Sequence, residues 1–159
     1  MIRVEGKKTF LYVSKTVIIA VICIFCQNSA YSQSTSEVEL SNNSIYFDMG
    51  AGLVSQVSIN YERKFYSGEK ISWFGRLGIG EAGTIEGNSK SGGGALGAVT
   101  MLTGKSNNHF ELNAGIFAIE DGGFLLLDIG YRFQKPTKGL VFKAHLGTLG
   151  AGVGLGFAF

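Results

Sequence analysis

From Gly152 to Ala158 every second residue is Gly or Ala, and every residue between them is large and apolar. Successive side chains of an extended strand point to opposite faces. Val153, Leu155, Phe157 and Phe159 therefore share one face of residues 150–159, and Gly152, Gly154, Gly156 and Ala158 share the other. A strand with bulk on one side and nothing on the other suits a narrow β-barrel. The bulky face meets lipid, and the bare face leaves room for side chains from neighbouring strands.

The preceding sequence repeats this design. From residue 44 onward, runs of about ten alternating residues are separated by turn chemistry, the pattern of a barrel strand. Eight runs are expected: 44–54, 57–65, 71–80, 94–102, 109–119, 124–134, 140–147 and 150–159. In the first, Ile45, Phe47, Met49, Ala51 and Leu53 share the outer face. In the third, Ile71, Trp73, Leu77 and Ile79 oppose Ser72, Phe74, Arg76 and Gly78. The sixth sets Leu125, Leu127, Ile129, Tyr131 and Phe133 against Leu126, Asp128, Gly130 and Arg132. The fourth is small and apolar on both faces, so its sequence leaves the register open. An even strand number puts both ends of the barrel domain on one side of a membrane. Connections after the even runs are short and polar. The one long connection, 81–93, is rich in Gly, Ser, Asn and charge, and reads as a mobile outer loop.

The predicted domain organisation has three parts: a signal peptide over 1–32, a flexible lead-in over 33–43, and the barrel over 44–159. Arg3, Lys7, Lys8 and Lys15 precede an apolar run, 16–26, which is too short to span a bilayer as a helix. Ala30-Tyr31-Ser32 then supplies small residues at cleavage spacing. Both cysteines, Cys23 and Cys26, fall inside this segment, so the remainder has neither a disulfide nor a thiolate metal site. Residues 1–32 hold four of the 14 basic residues and one of the 12 acidic ones, leaving 10 against 11. A chain of net charge −1 gives no basic footprint for nucleic acid.

The predicted inner face carries Asp48, Glu62, Glu111 and Asp128 with Lys64, Arg76, Arg132 and Lys143. An eight-stranded barrel is just wide enough for side chains to fill, and charges buried there must be paired. A structural lumen network is the favoured reading, ahead of a gated path or an acid/base site. Tyr61, Phe65, Trp73, Tyr131, Phe133 and Phe157 fall on the outer face as membrane-interface aromatics. His109 and His145 lie on different strands without a third ligand, so no metal or other cofactor is expected. A second catalytic reading takes His145 as a base with Ser55 or Ser58 as nucleophile, with no spacing to fix that geometry. Gly78-Ile79-Gly80-Glu81-Ala82-Gly83 and Gly104-Lys105-Ser106 mimic nucleotide-binding loops, but neither opens a helix.

The pattern Ser58-Ile59-Asn60-Tyr61-Glu62-Arg63-Lys64-Phe65, the turn at 102–112, Ile129-Gly130-Tyr131-Arg132-Phe133-Gln134 and the terminal 154–159 resemble small outer-membrane β-barrel proteins, porin-like in type, of the Bacteroidota. The resemblance implies an outer-membrane location in a Gram-negative envelope, with a C-terminal strand ending at Phe159 that serves as the assembly signal. Its implied partners are outer-membrane lipid, lipopolysaccharide and the barrel-assembly machinery; it brings no catalytic residues. This chain departs from the pattern by its short outer loops. The expected protein is a non-catalytic barrel with a structural or surface-interaction role. The alternatives are a lipopolysaccharide-modifying barrel enzyme, a small pore and a soluble lipocalin-like binder.

Overall fold

The computed structural model describes residues 39–84, 91–104, 106–120 and 122–159. The expected signal peptide and residues 33–38 of the lead-in lie outside them. Eight antiparallel strands follow in order: β1 (Asn43–Ala51), β2 (Val54–Ser67), β3 (Ile71–Thr84), β4 (Ser91–Thr103), β5 (Asn108–Ile119), β6 (Gly122–Gln134), β7 (Gly139–Gly147) and β8 (Gly150–Ala158). Each pairs with its sequence neighbours, and β8 pairs back onto β1, so the sheet closes and leaves no edge along the seam. At that seam Asn43 and Phe159 exchange backbone hydrogen bonds of 3.1 and 2.8 Å, which ties the last residue to the first strand.

The period-2 pattern sets the faces. Ile45, Phe47 and Met49 are exposed while Ser44, Tyr46 and Asp48 are buried, and the other strands alternate in the same way. In β8 the large residues point outward and Gly152, Gly154, Gly156 and Ala158 point inward. The open register of β4 resolves with Leu96, Thr100 and Leu102 buried. Its pairings Leu77↔Gly97 and Gly97↔Ile116 fix the outer face.

Three local features differ from expectation. Most of the long connection is strand: Glu81, Ala82 and Gly83 pair with Gly93, Gly92 and Ser91, leaving 85–90 between β3 and β4. Ladder bonds come from the backbone, so the Gly and Ser that mimic turn chemistry do not prevent pairing. Leu53, 81% exposed, sits in the β1–β2 turn, and Val54 opens β2 with a buried side chain. In β2 the register shifts between Lys64 and Tyr66, a bulge that turns both Phe65 and Tyr66 outward.

The interior is layered. At the rim where β1 begins and β8 ends, here the terminal rim, Leu40, Phe74 and Leu102 form a buried apolar cluster. At the opposite rim, Val54, Ala82, Leu96, Phe117, Ile119, Leu126 and Leu149 form a second one. Between them lies a polar and charged layer.

A Cβ at Gly156 would collide with the Ile45 carbonyl and with Tyr46, whereas one at Gly97 would meet nothing within 4 Å. Gly156→Val should therefore cost at least the ~1–3 kcal/mol of core overpacking and strip the refolded barrel of trypsin resistance. Gly97→Val should leave that resistance intact. Equal resistance in both variants would contradict the narrow closure described here.

Candidate functional site

The central layer is built around Tyr46, which β1 aims into the lumen and which is 2% exposed. Its hydroxyl donates to Glu62 Oε1 at 2.6 Å. Three cations surround its ring: Lys143 Nζ is 4.6 Å from the centroid, and the guanidinium carbons of Arg76 and Arg132 are 5.3 and 5.5 Å away. A desolvated aromatic face attracts cations electrostatically, so the ring acts as a neutral spacer that holds like charges apart.

Each cation also reaches a carboxylate. Arg132 bridges two, with Nη2 at 2.6 Å from Glu62 Oε2 and Nε at 2.8 Å from Glu111 Oε2. Lys143 Nζ lies 2.5 Å from Glu111 Oε1 and 3.8 Å from Asp48 Oδ2. Arg76 donates to Asp48 Oδ2 at 3.3 Å and to Asn60 Oδ1 at 3.0 Å. Asn113 donates to Glu111 Oε1 at 2.6 Å and accepts from Thr100 at 2.6 Å. Such pairs compensate desolvation only with this many supporting hydrogen bonds.

Of the eight lumen charges expected from sequence, seven meet here: Asp48, Glu62, Arg76, Glu111, Asp128, Arg132 and Lys143. Lys64 does not. It points inward at the terminal rim, where Nζ donates to Glu39 Oε1 at 2.8 Å and to the Leu40 carbonyl at 2.6 Å. Glu39–Asn42 fold back across that rim, an arrangement with no periodic signal to announce it. Ser41 hydrogen-bonds the carbonyls of Pro136 and Thr137, and the Asn42 carbonyl accepts from the Lys64 amide at 2.7 Å. The Lys64 hydrogen bond holds the Glu39 carboxyl below the usual carboxylate range. With Glu39 58% exposed, this pair adds little stability.

His145 joins the central layer. Its Nε2 is 3.0 Å from Asp48 Oδ1 and its Nδ1 is 3.7 Å from Asp128 Oδ2. Both ring nitrogens therefore face carboxylates rather than a serine. Ser58 is buried and accepts from Asn60 Nδ2 at 2.9 Å. Ser55 is on the outer face, donating to the Gly83 carbonyl at 3.2 Å. His109, at the terminal rim, has its ring nitrogens 2.8 and 3.4 Å from the carbonyls of Thr103 and Gln134. Among the described residues no group of three or more His, Cys, Asp or Glu side chains is placed to hold a metal.

All six interface aromatics lie on the outer face near the terminal rim. Phe110 pairs with Tyr131, Phe133 with Phe142, and Tyr66 with Trp73. Tyr61 and Tyr131 each donate to an asparagine at that rim, Asn43 at 2.7 Å and Asn108 at 2.6 Å. Phe159 is 47% exposed and ends the same belt. Tyr46, Asn60, Thr100 and Asn113 complete the lumen network without having been singled out. The strand alternation that aims Asp48 inward aims Tyr46 inward too, so the signal for it was present.

No protein-family model matches the chain, and no curated protein or solved structure shows detectable similarity to it. The function rests on the site itself.

Arg132→Met would leave Glu62 and Glu111 buried without their shared cation, at an expected cost of about 3–5 kcal/mol. Tyr46→Phe removes one hydrogen bond to a charged acceptor and should cost about 1.5–3 kcal/mol. Urea unfolding at unchanged m-value measures both. A neutral Arg132→Met variant would refute the network as a structural element.

Proposed function

We propose that this protein is an integral outer-membrane β-barrel with a structural or surface-interaction role and no catalysis. In this reading residues 1–32 are its signal peptide and Phe159 ends its assembly signal. Lipid, lipopolysaccharide and the assembly machinery are its partners. The observation that carries the reading is the inverted polarity of the barrel. Charges are paired inside, while Ile79, Leu77, Leu146, Leu125 and Leu155 stand 69, 68, 61, 58 and 56% exposed outside. Soluble monomers rarely expose an apolar patch beyond a few hundred Å². A continuous apolar wall around a closed barrel suits hydrocarbon, where closure satisfies the backbone.

The alternatives fit less well. A soluble lipocalin-like binder needs a ligand-sized apolar interior and a polar exterior, whereas here the middle of the lumen is filled by ion pairs. A pore needs an open path, and apolar clusters close the lumen at both rims. A hydrolytic His–Ser arrangement lacks its geometry, because His145 is turned to Asp48 and Asp128.

Leu77→Arg separates lipid from water. In a bilayer an arginine on the wall near mid-depth should cost about 2–4 kcal/mol. At a water-exposed position the same change stays within about 0.5 kcal/mol. The measurement is equilibrium unfolding from vesicles, alongside faster migration of unboiled protein from the outer-membrane fraction. A neutral substitution and recovery in the aqueous fraction would sink the proposal.

A further inference from the structure

The outer wall is not uniformly bulky. Across β2–β5 it dips into a groove of about 1010 Å³ whose floor is Gly75, Ala95, Gly97, Val99 and Ala114. Leu77 and Ile116 flank Gly97 in register and form its walls. The floor is open rather than packed, since a Cβ built on Gly75 or Gly97 meets no atom within 4 Å. From Val99 to Ala95 is four residues, roughly 13 Å at ~3.3 Å per residue. One leaflet of hydrocarbon is roughly 15 Å deep, half of a ~30 Å core.

The end of this groove at the terminal rim carries a charge. Arg63 lines it, pairs in register with Gly75, and points outward between Tyr61 and Phe65 of the aromatic belt. Among the described residues no acid pairs with Arg63. The guanidinium is thus, among the described residues, an unmatched cation at interface height, above an apolar trough about one leaflet long. Guanidinium binds phosphate oxygens through two parallel hydrogen bonds, and its aliphatic stem lies comfortably along apolar surface.

We infer that this groove is a specific site for one diacyl phospholipid of the leaflet at the terminal rim, with its phosphate on Arg63 and an acyl chain over Gly75, Gly97 and Ala95. The inference rests on the membrane reading above. Small floor residues let the chain lie against the backbone between Leu77 and Ile116, and the cation selects a phosphate-bearing headgroup.

Native mass spectrometry of the intact, detergent-released protein tests it, with phosphatidylglycerol as probe and a diacylglycerol of the same chains as control. Wild type should retain one phosphatidylglycerol and no diacylglycerol. Arg63→Gln should weaken retention about tenfold. Gly97→Leu, whose Cβ would meet nothing within 4 Å and whose side chain would occupy the trough, should abolish it while the unboiled protein still migrates fast. Equal retention by all three folded proteins would overturn the site and leave the membrane reading standing. So would Arg63-dependent retention of lipid A in place of phosphatidylglycerol, or a dimer that Gly97→Leu dissolves. A wild-type protein recovered as water-soluble, without the migration shift, would end both readings.

Discussion

The structure depends on fitting charged side chains into a barrel that has almost no room for them. The bare face of β8 provides the space. A Cβ on Gly152 would strike the imidazole of His145, one on Gly154 the stem of Lys143, and one on Gly156 the side chain of Tyr46. Glycines of other strands do the same, Gly78 against Asn60 and Gly147 against Asp128. The glycine stripe and the ion-pair layer are therefore one feature seen from two strands. A side chain on the stripe would displace the network, and at Gly156 it would also strike the Ile45 carbonyl. The backbone entropy that glycine gives up on folding is the cost of this arrangement.

The network in turn fixes the register. A one-residue slip of β6 would bring Tyr131 and Ile129 inside and send Arg132 and Asp128 into the wall. In hydrocarbon an arginine on the wall costs several kcal/mol, and the stranded Glu62 and Glu111 would add their own unpaired desolvation. His145 adds to the layer by lying between the Asp48 and Asp128 carboxyls, 3.0 and 3.7 Å from them. Tyr46 lets Arg76, Arg132 and Lys143 converge without touching, since all three gather on the same ring.

Strand number, closure, faces and seven of the eight lumen charges were legible because period-2 alternation is steep in this chain. Leu beside Asp, or Tyr beside Arg, leaves no doubt about direction. Legibility failed where that contrast vanishes. Ala and Gly occupy both faces of β4, so only its partners decide its register. Residues 81–84 and 91–93 have the composition of a turn, yet they are held by backbone bonds indifferent to side chains. Lys64 faces inward as its pattern requires, but its partner, Glu39, lies in a segment with no periodicity that folds back over the rim. His145 was visible on the inner face, but its pairing with Asp48 is a matter of barrel diameter and stagger, which no single strand encodes.

The two ends of the barrel are unlike, and that difference narrows where function resides. At the terminal rim, chain folds back over the mouth, Leu40 joins Phe74 and Leu102 beneath it, and the aromatic belt surrounds it. At the opposite rim lies the second apolar cluster, and the outer wall there is aliphatic, with Met49, Val57, Ile79 and Leu125 exposed. Among the described residues the polar layer lies between these two apolar clusters. The wall itself is a surface of varied relief with bulky ridges, a trough of small residues, and Arg63, without an acidic partner among the described residues, where the trough meets the belt. In the proposed membrane setting, specificity belongs on the outside of the strands, in what the wall selects from the lipid around it.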